Sequence, residues 1–261
     1  TSLVKIMYIF TNPKYSELQP FIQHLTDPQW FADNGETLHN GRNILKKFDV
    51  GGLHLVVKSY GRPSPINRLI YCTLRKSKAL RAYSHAQRLR QMGIDSPEEV
   101  AVIENRRFCI LRSSFFVSLC SDYRSLYPIT DLFVQTPEAK AILDALAVFL
   151  FGVHERGILH NDLNIGNILY RKNDDDTYSF QLIDTNRMEF HRALSMRQRL
   201  NNLRRLSCEV PAYLYILQQY ANCTRANPSS VQLKGAVMRL LFESRQRIKY
   251  ALKAKAKTKS K

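Results

Sequence analysis

His160-Asn161-Asp162-Leu163-Asn164-Ile165-Gly166-Asn167 is followed further along by Leu182-Ile183-Asp184. Upstream, Pro137 and Glu138 suit a first helical turn, and Ile142, Ala145, Leu146, Phe149 and Leu150 recur at helical spacing up to His154. Downstream, Ile168 to Arg171 and Tyr178 to Ile183 read as strands joined by the turn-forming Asn173-Asp174-Asp175-Asp176. Such a hairpin would carry Asn167 and Asp184 to the same end of a two-stranded ladder. Phosphoryl transfer requires a carboxylate that orients the attacking hydroxyl and accepts its proton, together with oxygen ligands that hold Mg²⁺ against the phosphates. In that reading Asp162 is the base, and Asn167 and Asp184 are the metal ligands. Each of the three alone could simply cap a turn or end a strand; their order and strand context together point to the chemistry.

Working toward the N-terminus, Glu36 to His39, Ile44 to Val50 and Leu53 to Tyr60 read as three strands of an antiparallel meander. Asn40-Gly41-Arg42-Asn43 and Gly51-Gly52 supply the turns, because Gly and Asn tolerate the positive φ of tight hairpins. Leu55-Val56-Val57-Lys58 is an apolar strand ending in a lysine, a point charge suited to the α and β phosphates of a nucleotide. Taken alone Lys58 would suit a strand end at the surface; its place upstream of the catalytic loop gives it the phosphate role. The phosphate-covering turn is expected at Gly41, Arg42 and Asn43, although a single glycine there is no Gly-rich signature. Arg42 suits either a phosphate contact or a solvated turn. After the Pro63 and Pro65 breakers, a basic helix is predicted from Ser77 to Met92, stopping at Gly93, and further strands at Val100 to Glu104 and Phe115 to Leu119.

Beyond Asn186 the sequence is helical and basic, punctuated by Pro211 and Pro228 before a last helix toward Tyr250. Lys253 to Lys261 alternates lysine with small residues and is expected to be a disordered tail. Strands with one helix come first, then helices around a small hairpin, which argues an α+β fold of two lobes. The expected division is an N-lobe over 1–119, a C-lobe over 120–252 and the tail over 253–261.

The chain has 261 residues with 39 Lys and Arg against 22 Asp and Glu, a formal charge of +17 that attracts anions. Five widely spaced cysteines without a Cys-x-x-Cys pair argue against a zinc or redox site and for reduced thiols in the cytoplasm. The first ten residues lack the charged and apolar blocks of a secretory leader. The longest apolar run, Ala141 to Val153, contains Asp144 and is shorter than the roughly 20 residues of a spanning helix.

The sequence resembles the lipopolysaccharide kinase (Kdo/WaaP-type) family, in its Bacteroidetes-type branch, part of the protein-kinase-like superfamily. The resemblance is carried by Gly41-Arg42-Asn43, Val56-Val57-Lys58-Ser59-Tyr60, Ile66-Asn67-Arg68, Arg75-Lys76-Ser77-Lys78-Ala79, the His160 to Asn167 loop and Ile183-Asp184-Thr185-Asn186-Arg187. It implies a bilobal protein-kinase-like fold, ATP and Mg²⁺ as cosubstrates, Lys58 on the nucleotide phosphates, Asp162 as base, and Asn167 with Asp184 on metal. It also implies a hinge at Leu119, Cys120 and Ser121 that holds adenine through its backbone. Asp184 is followed by Thr185-Asn186 rather than Phe-Gly, so no regulatory activation segment is expected. The departure from the pattern is Ser84: the helix after the lysine strand normally offers a glutamate to the lysine, and no acid lies between Lys58 and Asp95.

The resemblance implies an anionic glycolipid acceptor, the Kdo or heptose region of the lipid A core. Arg68, Arg75, Lys76, Lys78 and Arg81 would then face that acceptor or an anionic membrane surface at the inner face of the inner membrane. The competing readings are an atypical protein kinase, which the fold does not distinguish, and a nucleotide-binding pseudokinase, prompted by Ser84. Nucleic acid is not an expected partner, because aromatic residues are not interleaved with the basic ones.

Overall fold

The computed structural model describes residues 5–61, 76–107, 110–132 and 136–258. The Pro63 and Pro65 breaks, the Ile66-Asn67-Arg68 motif and Arg75 lie outside the described residues. The chain divides into two compact units, 1–122 with 181–187, and 123–180 with 188–261.

The first unit is built on a six-stranded sheet in the order β1-β5-β6-β4-β3-β2. Its strands are β1 (Lys5–Thr11), β2 (Glu36–Asn40), β3 (Asn43–Val50), β4 (Leu53–Tyr60), β5 (Glu99–Arg107) and β6 (Ile110–Leu119), and every neighbouring pair is antiparallel. The predicted meander is therefore present, with Gly51 and Gly52 both at positive φ (58° and 75°) in the two-residue turn between β3 and β4. Strand periodicity decides which residues face which layer. Leu55 and Val57 of β4 enter a core with Ile103, Val117, Tyr15, Phe21 and Ile22. That side is covered by a 3-10 turn (Pro13–Leu18), α1 (Gln19–His24) and α2 (Pro28–Asp33). The buried Lys46 amine holds α2 in place, donating to the carbonyls of Phe31, Ala32 and Asn34 at 2.7 Å each. The opposite face, which carries Tyr60, packs with Val102 against Ala79 and Tyr83 of α3 (Lys78–Gln91). Ser77 caps α3 by accepting from the Leu80 N–H at 3.1 Å, and Gly93 at φ 72° ends it, as the sequence predicts.

The second unit contains α4 (Tyr127–Leu132), α5 (Pro137–Glu155), α6 (Met196–Leu203), α7 (Val210–Thr224) and α8 (Pro228–Thr258). Thr136 caps α5, and Ile142, Leu143, Leu146 and Leu150 form its buried stripe, packed against α7 with its buried Ile216, Leu217 and Tyr220. Burying such side chains contributes roughly 1.5–3 kcal/mol each. Two small ladders complete the unit. β9 (Ile168–Lys172) lies between β7 (Arg124–Ser125) and β10 (Tyr178–Leu182), whose last two residues belong to the first unit, and β8 (Ile158–His160) pairs with β11 (Met188–Phe190). α8 continues through Thr258, past Lys253 where a disordered tail was expected. Ala251, Ala254 and Ala256 alternate there with lysine, and both residue types favour helix. Among the described residues no helix is long and apolar enough to cross a membrane.

Candidate active site

The lysine strand delivers its side chain to the α3 side of the sheet. Lys58 Nζ lies 2.7 Å from Asp184 Oδ1, both side chains being largely buried, and 5.5 Å from the centroid of the Tyr60 ring two residues on. In the first unit the sequence-predicted Lys58 and Asp184 thus meet directly. The helix glutamate expected of such folds is absent here: Ser84 of α3 turns its hydroxyl back to the Arg81 carbonyl at 3.4 Å.

α3 nevertheless acts on the pair through the segment that holds Asp184. Thr185 Oγ1 donates to the Ala82 carbonyl at 2.9 Å, and His85 Nδ1 donates to the Thr185 carbonyl at 2.8 Å. Burial, then the nearby Arg81, Arg88 and Lys76, lowers the His85 pKa, so the neutral ring with its proton on Nδ1 fits this bond. Asp184 itself sits at φ 54°, a left-handed conformation that Asp tolerates better than most residues, and its carboxylate accepts from Asn186 Nδ2. Neither His85 nor Thr185 stood out in the sequence, because neither belongs to the catalytic-loop pattern.

More positive charge surrounds this pair than the sequence reading assigned to it. Lys78, at the start of α3, is half-buried and lies 5.8 Å from the Tyr60 ring centroid, on which Lys58 also rests. Burial lowers its pKa, and Arg42, Arg187 and Arg81 lower it further. Arg42 is exposed in the turn between β2 and β3, where the Gly41 N–H donates to the Asn43 carbonyl at 3.2 Å. Gly61 passes close beneath that turn: a Cβ there would fall 2.4 Å from the Arg42 carbonyl oxygen. Mutual repulsion among such cations is relieved by a polyanion.

At the expected hinge, the Leu119 N–H donates to the Glu98 carbonyl at 2.8 Å and the Cys120 N–H to the His54 carbonyl at 2.7 Å. Those two N–H groups are committed within the protein, which leaves recognition of a base at this segment to other backbone groups. Ser121 Oγ donates to Gln181 Oε1 at 2.6 Å, and Gln181 Nε2 donates to Asp95 Oδ2 at 2.9 Å.

In the second unit the loop after β8 folds around the Asp162 backbone. The Asp162 N–H donates to His160 Nδ1 at 3.1 Å, and the Asp162 carbonyl accepts from Asn167 Nδ2 at 2.8 Å and Asn164 Nδ2 at 3.2 Å. With the Asn167 amide nitrogen so engaged, Oδ1 is the acceptor atom of its side chain. Asn167 closes a 3-10 turn (Ile165–Asn167) in which Gly166 leaves room for the Tyr127 ring, 2.8 Å from where a Cβ would stand. Beneath the loop lies a buried polar chain. Asn202 Nδ2 of α6 donates to the His160 carbonyl at 2.8 Å, His154 Nε2 of α5 donates to Asn202 Oδ1 at 3.2 Å, and Tyr220 of α7 donates its hydroxyl to His154 Nδ1 at 2.8 Å. Burial pushes the His154 pKa down to about 4, which keeps the ring neutral as both bonds require. Sequence reasoning missed His154 and Asn202, which are distant in the chain and individually unremarkable.

The two donors that the sequence suggests for a metal, an amide oxygen on Asn167 and a carboxylate on Asp184, are each hard oxygen ligands of the kind Mg²⁺ takes, one or two from protein and the rest from water and substrate phosphates.

Comparison with known proteins supplies the relationship. The model of the lipopolysaccharide kinase (Kdo/WaaP) family matches residues 31–226. No curated protein matches the chain. Among solved structures, WaaP in complex with acyl carrier protein is similar at a TM-score of 0.59 and 18% identity, covering 93% of this chain and 98% of that one. That likeness is one of fold, and it makes the α+β architecture of this chain kinase-like. With three quarters of its length inside the family model, the chain belongs to the lipopolysaccharide kinase (Kdo/WaaP) family, a family of ATP-dependent phosphotransferases.

Proposed function

We propose that the protein transfers the γ-phosphate of ATP to a sugar hydroxyl of the lipopolysaccharide inner core, on Kdo or heptose. The observation that carries this reading is the largely buried Lys58–Asp184 pair beside Lys78, whose charge feels Arg42, Arg187, Arg81 and Asp184. A cationic group of that kind suits a polyphosphate, and the single carboxylate within it suits the metal that accompanies one.

In this proposal Lys58 binds the nucleotide phosphates, Gly41, Arg42 and Asn43 cover them, and the segment Leu119, Cys120 and Ser121 borders the base. Asp162 orients the acceptor hydroxyl and takes its proton as the new P–O bond forms and ADP departs. Asn167 and Asp184 would hold Mg²⁺, which when bound offsets the negative charge of the phosphates. The Lys58–Asp184 pair also favours catalysis over mere nucleotide binding, since the lysine has an anionic partner despite Ser84. In this reading the protein works in the cytoplasm, at the inner face of the inner membrane that carries the acceptor.

The test is transfer of labelled phosphate from ATP to Kdo-lipid A, to heptose-containing core oligosaccharide and to a generic protein substrate. Labelling of either glycan acceptor, lost in Asp162→Ala, supports the proposal. Labelling of protein alone would replace it with an atypical protein kinase.

A further inference from the structure

α8 is apolar on two opposite sides. Its inner side is fixed against the second unit: Val231 is 3% exposed, and a Cβ on Gly235 would stand 2.4 Å from the Leu217 side chain of α7. Arg239 reinforces that side, donating through Nη2 to the Cys208 carbonyl at 2.7 Å and pairing through Nε with Glu243 at 2.7 Å.

On the outer side stand Leu233, Val237, Leu240, Leu241 and Ile248. At 3.6 residues per turn these five fall within an arc of about 100° centred opposite Gly235. Leu233 is 68% exposed, Leu240 63% and Ile248 61%. Single exposed leucines are ordinary on a protein surface, but a stripe of five aliphatic side chains along one helix, interrupted only by Ser244 between Leu233 and Ile248, marks a surface that meets something apolar.

The charge beside the stripe says what that something is. Lys234 and Arg245 flank it on one side and Arg247 on the other, all exposed. The α8 sequence carries eight Lys and Arg and one acid, Glu243, which is itself engaged by Arg239. A second copy of the chain laid on this face would set these cations against their own kind, in a molecule already at +17. An apolar stripe between basic flanks is the pattern of a helix that lies in a lipid interface, its aliphatic side chains at the headgroup–acyl boundary and its cations at anionic headgroups.

We propose that the outer face of α8 docks the protein on an anionic lipid surface. This is a different place from the basic group at the start of α3, and it does not depend on which acceptor the enzyme phosphorylates. Docking by α8 would confine the enzyme to two dimensions, so that a membrane-borne acceptor is met by lateral diffusion.

The experiment is co-sedimentation of the full chain with vesicles that contain no glycolipid acceptor, either phosphatidylcholine alone or phosphatidylcholine with phosphatidylglycerol, at low and high salt. The expected result is binding to the anionic vesicles that falls with salt and is weak on neutral ones. Leu240→Glu with Ile248→Glu should reduce that binding about tenfold or more, and Arg245→Glu with Arg247→Glu should remove the preference for anionic lipid. All four side chains point to solvent, so the variants should melt with the wild type, and phosphorylation of a soluble acceptor should be unchanged. Equal sedimentation with both vesicle types, or variants that sediment like wild type, would overturn the proposal. So would absence of vesicle binding together with a concentration-dependent dimer, seen by analytical ultracentrifugation, that Leu240→Glu with Ile248→Glu abolishes; that result would assign the face to a second copy.

Discussion

Lys58 Nζ and Asp184 Oδ1 lie 2.7 Å apart, while Ser84 of α3, where an acid would face the lysine, turns its hydroxyl to the Arg81 carbonyl. The helix keeps its influence by holding the residue that follows the carboxylate, the Ala82 carbonyl accepting from the Thr185 hydroxyl and His85 donating to the Thr185 carbonyl. Adding an acid to α3 should therefore bring no gain. Ser84→Glu is expected to leave turnover unchanged or lower it by drawing Lys58 away from Asp184, whereas Lys58→Met should reduce kcat/KM for ATP by about 100-fold or more. Steady-state kinetics over ATP concentration checks both.

Thr185→Val removes the donor to the Ala82 carbonyl while preserving side-chain shape. The Ala82 carbonyl keeps its helical bond from the Ala86 N–H, so the loss is that of one net hydrogen bond, about 0.5–1.5 kcal/mol. Because the lost bond positions Asp184 rather than touching nucleotide, kcat should fall more than the KM for ATP rises. An unchanged kcat would show that α3 does not position the carboxylate.

Asn202→Ala should weaken the catalytic loop from below, by releasing the His160 carbonyl and the His154 ring at once. Asn202→Asp keeps the size but loses the donor to His160, so both variants should lose kcat with little change in ATP affinity. A stability loss of about 1–3 kcal/mol is expected for either, read from denaturant unfolding.

His154 makes stability depend on pH. Its folded-state pKa of about 4 lies below the ordinary value of 6.5, so between those values the unfolded chain binds the extra proton and the folded one does not. Stability from this group is complete above about pH 6.5 and is lost as pH falls toward 4, by a few kcal/mol in all. Melting temperature measured from pH 7 down to pH 5 should decline, and His154→Gln should flatten that decline from a lower starting point.

Gly157→Ala tests the turn between α5 and β8. Gly157 is at φ 72°, and a Cβ there would lie 1.9 Å from the His191 carbonyl oxygen, so backbone must move. Destabilisation above about 3 kcal/mol is expected, since strain and overlap act together. A melting temperature close to wild type would contradict the close approach of these two segments.

Much of this was legible in the sequence where local chemistry decides structure. Gly51-Gly52 forces a tight hairpin, Ser77 and Gly93 bound α3, and Pro211 and Pro228 stand in the first turns of α7 and α8. The elements that went unread are those that only tertiary partners create. β1 is a strand because β5 pairs with it, and β8 and β11 are three residues each, too short for any periodicity to register. α1 and α2, six residues apiece and each with proline in its first turn, are held by the core and by the Lys46 amine rather than by propensity. Within the candidate site, the Asp162, Asn167 and Asp184 pattern could be seen because order and spacing carry it. The partner of Lys58 could not, since it is supplied from a distant part of the chain, and neither could the His154–Asn202 support, which exists only once three helices pack.

The most direct test of the account is phosphate transfer from labelled ATP to Kdo-lipid A and to heptose-containing core oligosaccharide, with wild type, Asp162→Ala and Asp184→Ala compared at equal folded concentration. Glycan labelling is expected from the wild type and is expected to be lost in both variants. Glycan labelling that survives Asp162→Ala or Asp184→Ala, or a folded wild type that binds ATP yet labels neither acceptor, would contradict it.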